Sequence, residues 1–210
     1  AEARGTHKKQ TGGRGQFGDC EIILEPFTEQ QAEEDGLDYR DNFAFENKIV
    51  GGAIPREFIP SVEQGCRDAA KSGVIAGYPL VDVKVTLVDG SYHEVDSSQV
   101  AFEQAGILAF REASKKAKPA LLEPIMKVIV TTPDEFIGSV TGDLNRRRAI
   151  ISETEQRGNT RVVTAEAPLS EMFGYSTAVR GLTQGRASYS MEPMTYRPVP
   201  PNIAKEIIEG

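Results

Sequence analysis

Cysteine is scarce in this chain of 210 residues. There are two, Cys20 and Cys66, far apart and without a histidine or second cysteine at metal-ligand spacing. A disulfide scaffold and a structural zinc site are therefore not expected, and two reduced thiols in a cytoplasmic protein are. No apolar run approaches the roughly 20 residues that span a bilayer, so no membrane association is expected. Ala1–Gln10 is polar and basic and does not read as a signal peptide. Histidine is equally rare, with His7 and His93 alone. No G-x-x-x-x-G-K-[ST] loop is present to hold a nucleotide phosphate, and no G-x-S-x-G elbow presents a serine nucleophile. The glycines of TGGRGQFG contain G-x-G but lack the full dinucleotide fingerprint. No paired carboxylates stand out. The residues thus point to a binding module without a catalytic set of its own, and no cofactor or metal is expected in it.

What is present is an ordinary globular composition, 39% hydrophobic and 26% charged. The length suits one or two domains, each with its own core. Net charge is −7, the wrong sign for a general nucleic-acid binder. Local charge reads differently. Basic residues gather at Lys8, Lys9 and Arg14, at Lys115, Lys116 and Lys118, and at Arg146, Arg147 and Arg148, while acid gathers between Glu29 and Glu46. Such a chain can touch RNA at a few points without clinging to it.

Along the chain, Gly12, Gly13, Gly15 and Gly18 mark a loop between two strands, the second over Cys20–Leu24, or alternatively a flexible linker. Thr28–Asn42 is acidic and aperiodic and reads as an exposed loop. Phe43–Val50 reads as a strand closed by Gly51-Gly52. Ser61 and Gln64 have capping-box spacing for a helix ending near Gly73. Alternation from Val81 to Leu87 predicts a strand, and Asp89-Gly90 a turn after it. Asp96 and Gln99 offer a second capping box for a helix to about Lys116, stopped by Pro119.

A new pattern begins after Leu121–Pro124. It runs as a strand over Ile125–Thr131, then a helix with Thr132 as N-cap and Pro133 at its first position. Strands over Ala149–Glu153 and Arg161–Ala167 follow, joined by a turn at Arg157-Gly158-Asn159. A helix over Ser170–Leu182 and a strand over Ala187–Pro193 complete β-α-β-β-α-β, the ferredoxin-like arrangement. Pro201–Glu209 has a short helical pattern. The fold class is α+β, with domains expected at 1–121 and 122–196 and a C-terminal helix within 197–210.

Two features carry two readings each. His93, in Gly90-Ser91-Tyr92-His93-Glu94-Val95-Asp96, is either a solvated loop histidine or a functional group carried on a rigid scaffold. Arg146–Arg148 is either dipole compensation at a helix C-terminus or a binding patch. Phe17 and Tyr92 could stack on a base or line the edge of a core.

The segments HKKQTGGRGQFG, GGAIPREFIPSVEQG, AGYPLVDVKVTLVDGSYHEVDSSQVAF, KKAKPALLEPIMKV, GDLNRRR and APLSEMFGYSTAVRGLTQGRASYSMEP resemble, in order, successive motifs of elongation factor G. The resemblance runs from about His7 to the C-terminus and corresponds to the family's fourth and fifth domains. It implies an elongated α/β fourth domain with a left-handed crossover, a ferredoxin-like fifth domain, and a C-terminal helix packed back on the first, burying Ile203 and Ile207. The family's first strand of the fourth domain is expected to be missing here or replaced by Ala1–Gly5.

The resemblance also implies a role in tRNA–mRNA translocation on the ribosome during elongation. The tip of the fourth domain would contact the small-subunit decoding region and the tRNA–mRNA complex through Lys9, Gly12, Gly13, Arg14, Gly15, Gln16, Ser91, Tyr92 and His93. The fifth domain would touch large-subunit rRNA through Arg146, Arg147 and Arg148. GTP and Mg²⁺ would belong to the rest of the parent GTPase, and the chain would act as a cytoplasmic monomer. Ribosome recycling, ribosomal protection, an RNA-directed enzyme using His93 as general base, and a purely structural ribosomal domain are the rival roles.

Overall fold

The computed structural model describes residues 1–10 and 12–210. Among the described residues the chain is mixed α+β, with two sheets and six α-helices, and forms two compact units: Ala1–Pro119 with Ile207–Gly210, and Ala120–Glu206. Among the described residues no helix is long and apolar enough to cross a membrane.

The first unit is built on a five-stranded sheet. Strand β1 (Glu2–Lys9) pairs antiparallel with β2 (Gln16–Pro26), from Glu2 opposite Ile23 to Lys9 opposite Gln16. The first strand is therefore present, contrary to the expectation for Ala1–Gly5. Its inward residues are Ala3 and Gly5, too small to register as apolar alternation. They are small because helix α3 (Gln99–Lys116) lies directly on them: a Cβ on Gly5 would stand 2.3 Å from the Ala105 carbonyl oxygen.

The acidic stretch after β2 also departs from the loop expected there. It holds helix α1 (Glu29–Asp35), opened by a reciprocal Thr28–Gln31 capping box and closed by Gly36 in the left-handed region, then the two-residue strand β3 (Tyr39–Arg40). Only Ala32 of α1 is buried, against Phe27 and Ala44. A single buried position leaves no periodicity to read, although T-x-x-Q was there as a start signal.

Strand β4 (Phe43–Asn47) follows and runs parallel to β5 (Val83–Ser91), to which it connects through α2 (Ile59–Ser72). The sheet order is β1-β2-β5-β4-β3. Cys20, Ile22 and Leu24 on β2 and Val83, Val85 and Leu87 on β5 alternate inward to form one core with α2 and α3.

Three turn and cap assignments change. Asp89-Gly90 is not a turn but the end of β5; Gly90 is required there because a Cβ would meet the Asp19 carbonyl oxygen at 2.4 Å and Ile54 Cδ1 at 2.5 Å. Helix α2 starts before Ser61, through a 3₁₀ turn at Arg56–Phe58, and has no side-chain cap; Ser61 is buried and Gln64 bonds Asp68 instead. Helix α3 is capped by Ser98, whose hydroxyl accepts from the Ala101 amide at 3.2 Å, rather than by Asp96.

Helices α2 and α3 approach closely through glycines. A Cβ on Gly65 would lie 2.2 Å from the Glu103 carbonyl oxygen, and one on Gly106 would lie 2.7 Å from that of Val62. Cys66 donates to the Gly106 carbonyl at 3.6 Å. Both cysteines are free and buried; burial pushes the Cys20 thiol up to about 12 and the Cys66 thiol well above its usual range, so both are inert thiols of the core.

The second unit is a four-stranded antiparallel sheet of order β7-β8-β6-β9, formed by β6 (Leu122–Pro133), β7 (Ile150–Arg157), β8 (Thr160–Pro168) and β9 (Ser188–Pro198). With α4 (Ile137–Arg146) after β6 and α5 (Tyr175–Thr183) after β8, this is the ferredoxin-like order. Thr132 and Pro133 close β6 rather than capping α4, which starts after a 3₁₀ turn at Asp134–Phe136. Helix α6 (Pro201–Glu209) ends the chain. None of its residues is fully buried and Ile207 is 41% exposed, so the burial expected for Ile203 and Ile207 is not met.

The glycines make opposite predictions. Gly65→Ala forces backbone apart between α2 and α3 and lowers stability by about 2 kcal/mol. Gly138→Ala, on α4 with open space at its Cβ position, raises it by up to about 1 kcal/mol. Urea unfolding of the two variants beside the parent chain measures both signs.

Candidate nucleic-acid interface

Three connections leave the first sheet at the same end. The β1–β2 hairpin turns between Lys9 and Gln16, the loop Tyr92–Ser98 follows β5, and Lys48–Pro55 follows β4, as the antiparallel β2–β5 and parallel β4–β5 registers require. Thr11 of the hairpin lies outside the described residues.

A buried carboxylate at the base of this end joins β1, β2 and β5. Asp19 is 3% exposed. Its Oδ1 accepts from Arg4 Nε at 2.9 Å and Thr6 Oγ1 at 2.7 Å, and its Oδ2 from Arg4 Nη2 at 2.5 Å and Ser91 Oγ at 2.6 Å. Burial works to raise the Asp19 carboxyl, but the hydrogen bonds from Arg4, Ser91 and Thr6 and the Arg4 charge outweigh it and hold the group below its usual range. The Arg4 guanidinium is correspondingly held charged. Ser91, a candidate contact by sequence, therefore uses its hydroxyl proton inside the fold.

Beyond Asp19 the hairpin and the His93 loop are joined by backbone. The Phe17 amide donates to the Asp96 carbonyl at 2.9 Å, and Phe17 forms a parallel bridge with Ser97. The Asp96 carboxylate lies under Gly15, where a Cβ would stand 2.9 Å from its Cγ. This is why Asp96 was unavailable as a helix cap. Gly18 is pressed on α3, with a Cβ position 2.5 Å from the Ala101 carbonyl oxygen. The glycine loop is thus a fitted hairpin, not a linker. Gln16 Oε1 accepts from His7 Nε2 at 2.9 Å, which fixes the hairpin stem.

His93 sits in a tight turn. Its amide donates to Ser97 Oγ at 2.8 Å and its carbonyl accepts from the Ser97 amide at 3.0 Å. Ring atom Nδ1 accepts from the amides of Val95 at 3.4 Å and Asp96 at 3.3 Å. With Nδ1 used as an acceptor, the neutral ring carries its proton on Nε2, a donor on a side chain 57% exposed. The Asp96 carboxylate lies 3.6 Å from Nδ1. Phe17 faces this ring at 6.4 Å between centroids, tilted by 57°. Phe17 is half-buried and Tyr92 exposed.

Lys8, Lys9, Gly12, Gly13 and Arg14 are exposed, apart from a partly covered Arg14 backbone neighbour at Gly15, and the three cations make no ion pair with another described residue. Gly12 takes a left-handed φ of 48° with nothing near its Cβ position. The end of the sheet therefore presents free cations, bare backbone and one imidazole donor on a rigid stem, a set suited to phosphate and sugar oxygens. The third loop was missed in the sequence. Its Gly51 and Gly52 take φ of 65° and 70°, Val50 is 81% exposed, and buried Ile54 anchors it against Gly90. The diglycine followed by a lone apolar residue was the available signal.

The arginines of the second unit separate. Arg147 donates to Asp143 Oδ2 at 3.0 Å and to the carbonyls of Glu171 at 2.6 Å and Phe173 at 3.4 Å, with its guanidinium over the Tyr175 ring. Arg148 makes a two-pronged pair with Glu123 at 2.9 and 3.0 Å and a third bond to Glu171 at 3.1 Å. These two side chains are committed within the unit. Arg146 is 75% exposed and touches only the edge of Asp143, at 3.2 Å. Among the described residues no group of three or more His, Cys, Asp or Glu is placed to hold a metal.

Comparison with known proteins gives the family. Residues 1–118 match the family described as elongation factor G, domain IV, and residues 120–207 match elongation factor G C-terminus. The chain belongs to the elongation factor G family. A crystal structure of a protein from Thermus thermophilus is 43% identical, with a TM-score of 0.80. The match covers 100% of this chain and 30% of that one, so the chain spans less than a third of that protein's length. The tip loops lie in the domain IV match and the arginines in the C-terminal match. Together the two elongation factor G domains take up residues 1–118 and 120–207, which leaves no room here for a GTPase domain. The chain carries two domains of a translation elongation factor.

The Asp19 network has a defined pH dependence. A carboxyl held low contributes stability that is present above the ordinary value near 4 and is lost as pH falls through its folded value. Asp19→Asn is expected to cost about 2 kcal/mol at neutral pH by weakening the buried hydrogen bonds from Arg4, Thr6 and Ser91, Arg4 being half in solvent and still paired with Glu21 and Asp89, and to flatten the acid limb of the stability curve. Denaturant titrations between pH 7 and 3 measure both effects.

Proposed function

We propose that this chain is the ribosome-contacting end of a translocation factor. Its domain IV tip meets RNA in the decoding region of the small subunit, beside the tRNA–mRNA complex. Its C-terminal domain meets rRNA of the large subunit. GTP hydrolysis, with GTP and Mg²⁺, belongs to a part of the parent protein outside this chain. The observation that carries the reading is the joining of the glycine hairpin to the His93 loop, through Phe17 and Asp96, on a hairpin whose exposed Lys9 and Arg14 make no ion pair with another described residue.

A tip of this kind recognises phosphate positions and shape more than base sequence. A rigid tip seated in one arrangement of tRNA and mRNA favours that arrangement by differential contact, which is how it would hinder the return of a moved tRNA. The acidic balance of the rest of the chain suits brief engagement, since only the local cations are attracted to the phosphates. Recycling and protection paralogs are separated from this reading by the assay below.

Charge reversal at the tip tests it. Lys9→Glu with Arg14→Glu, placed in the full-length parent, is expected to slow single-round translocation at least tenfold while ribosome-stimulated GTP hydrolysis persists. In this chain the same pair lowers affinity for ribosomes and reduces the salt slope of binding by about two, one for each phosphate no longer neutralised. Unchanged translocation in the reversed variant, with subunit splitting or drug release impaired instead, rejects the elongation role.

A further inference from the structure

Two adjacent serines follow the His93 loop, and they are used differently. Ser98 caps α3: its hydroxyl accepts from the Ala101 amide at 3.2 Å. Ser97 reaches back into the loop. Its hydroxyl oxygen accepts from the His93 amide at 2.8 Å, and its own amide donates to the His93 carbonyl at 3.0 Å. One residue thus closes the turn from His93 to Ser97 with a side-chain bond and a main-chain bond. Its backbone also forms the parallel bridge with Phe17, next to the Asp96 carbonyl that accepts from the Phe17 amide at 2.9 Å. Ser97 therefore engages both tip loops, the His93 loop through its hydroxyl and amide and the hairpin through its bridge. It is half-buried, while His93, Glu94 and Val95 are exposed.

The closed turn brings two amides to the imidazole. Those of Val95 and Asp96 donate to Nδ1 at 3.4 and 3.3 Å. Bonds this long are weak and do not close a turn by themselves; the shorter pair to Ser97 does. With Nδ1 occupied as an acceptor, the neutral ring keeps its proton on Nε2. The other hydroxyls at hand are taken, Ser91 by Asp19 and Ser98 by the Ala101 amide. We propose that Ser97 is a positioning residue for the tip: it touches no RNA itself, and by holding the His93 turn shut against the hairpin it fixes the ring tautomer and the direction of the Nε2–H donor. The effect on the ring stands on this geometry alone. The effect on binding rests on the ribosome reading above.

The chain has two histidines, His7 and His93, so ring ¹H–¹⁵N spectra of the whole chain contain two imidazoles, and His93→Gln assigns them. Spectra are recorded at about pH 8.5, where an ordinary imidazole is neutral. The parent chain is expected to show the Nε2-protonated form at His93, Ser97→Ala a mixture of the two tautomers, and Ser97→Thr, which keeps the hydroxyl, the parent pattern. In co-sedimentation with ribosomes Ser97→Ala is expected to bind about fivefold more weakly, the worth of one hydrogen bond, and Ser97→Thr as the parent does. In a His93→Ala background the same Ser97→Ala change is expected to have no further effect, because Ser97 acts through the ring. A parent His93 ring without the Nε2-protonated form, or a ring spectrum that Ser97→Ala leaves unchanged, overturns the inference. Equal loss of binding with and without His93 also overturns it, and makes Ser97 a contact in its own right. Failure of the parent chain to sediment with ribosomes rejects the ribosome reading and the binding half of this inference, while the ring spectrum still decides the positioning half.

Discussion

A carboxylate buried to 3% exposure is unstable in a protein interior unless its charge is answered on every side. Asp19 is answered by four hydrogen bonds from three residues on two other strands: Arg4 and Thr6 on β1 and Ser91 on β5. Each donor must stay in place for the others to hold, because losing one leaves charge without a partner in a low-dielectric setting. The base of the tip is therefore fixed in register across three strands. What lies beyond it inherits that rigidity: the hairpin continues from Asp19 through Phe17, and the His93 loop begins just after Ser91. The two tip loops are set relative to each other by a carboxylate buried in the sheet below them.

The second constraint is closeness. Gly5, Gly18, Gly65 and Gly106 all sit where a Cβ would fall within 3 Å of backbone on α2 or α3. The hairpin thus lies flat on α3, and α3 lies tightly on α2, with alanines and Cys66 filling the remaining seam. Dense packing of this kind transmits position without needing polar contacts. It also shows why the glycine-rich segment is the loop between two strands that its sequence suggested, rather than the linker that was the alternative. In sequence, glycine signals freedom; here Gly15 and Gly18 mark places where freedom has been removed by contact, while Gly12 stands in open space with a positive φ.

Legibility followed the strength of local signals. The β-α-β-β-α-β order was readable because Val128 and Val130, Val140 and Leu144, and Val163 and Ala165 repeat with the periods of their elements. The tip loops were readable as a family motif, although not as a joined structure, since the bond between Phe17 and Asp96 links distant parts of the chain. Strand β1 and helix α1 were not readable, because Ala3, Gly5 and Ala32 are the small inward residues that tight packing demands. The false caps share one cause. Asp96, Thr132 and Ser61 have capping chemistry, but tertiary contacts claimed them first, and Ser98 and the 3₁₀ turns started the helices instead.

The arginine run shows the same limit from the functional side. Three consecutive arginines at a helix end carry identical charge in the sequence, and only side-chain partners tell them apart. In the fold they fan out: Arg148 back to β6, Arg147 across to the turn before α5, and Arg146 into solvent. Arg147 and Arg148 are demanding to place, since each must find acceptors for a rigid five-donor fork. Their acceptors converge on Glu171 and the Phe173 carbonyl, so both side chains act on one turn. The same division holds at the tip, where Asp19 and Arg4 fix the stem while Lys9 and Arg14, without an ion partner among the described residues, and the exposed edge of the His93 ring face solvent. In both domains paired charge does the positioning, and the residues left exposed beside it are the ones turned to solvent.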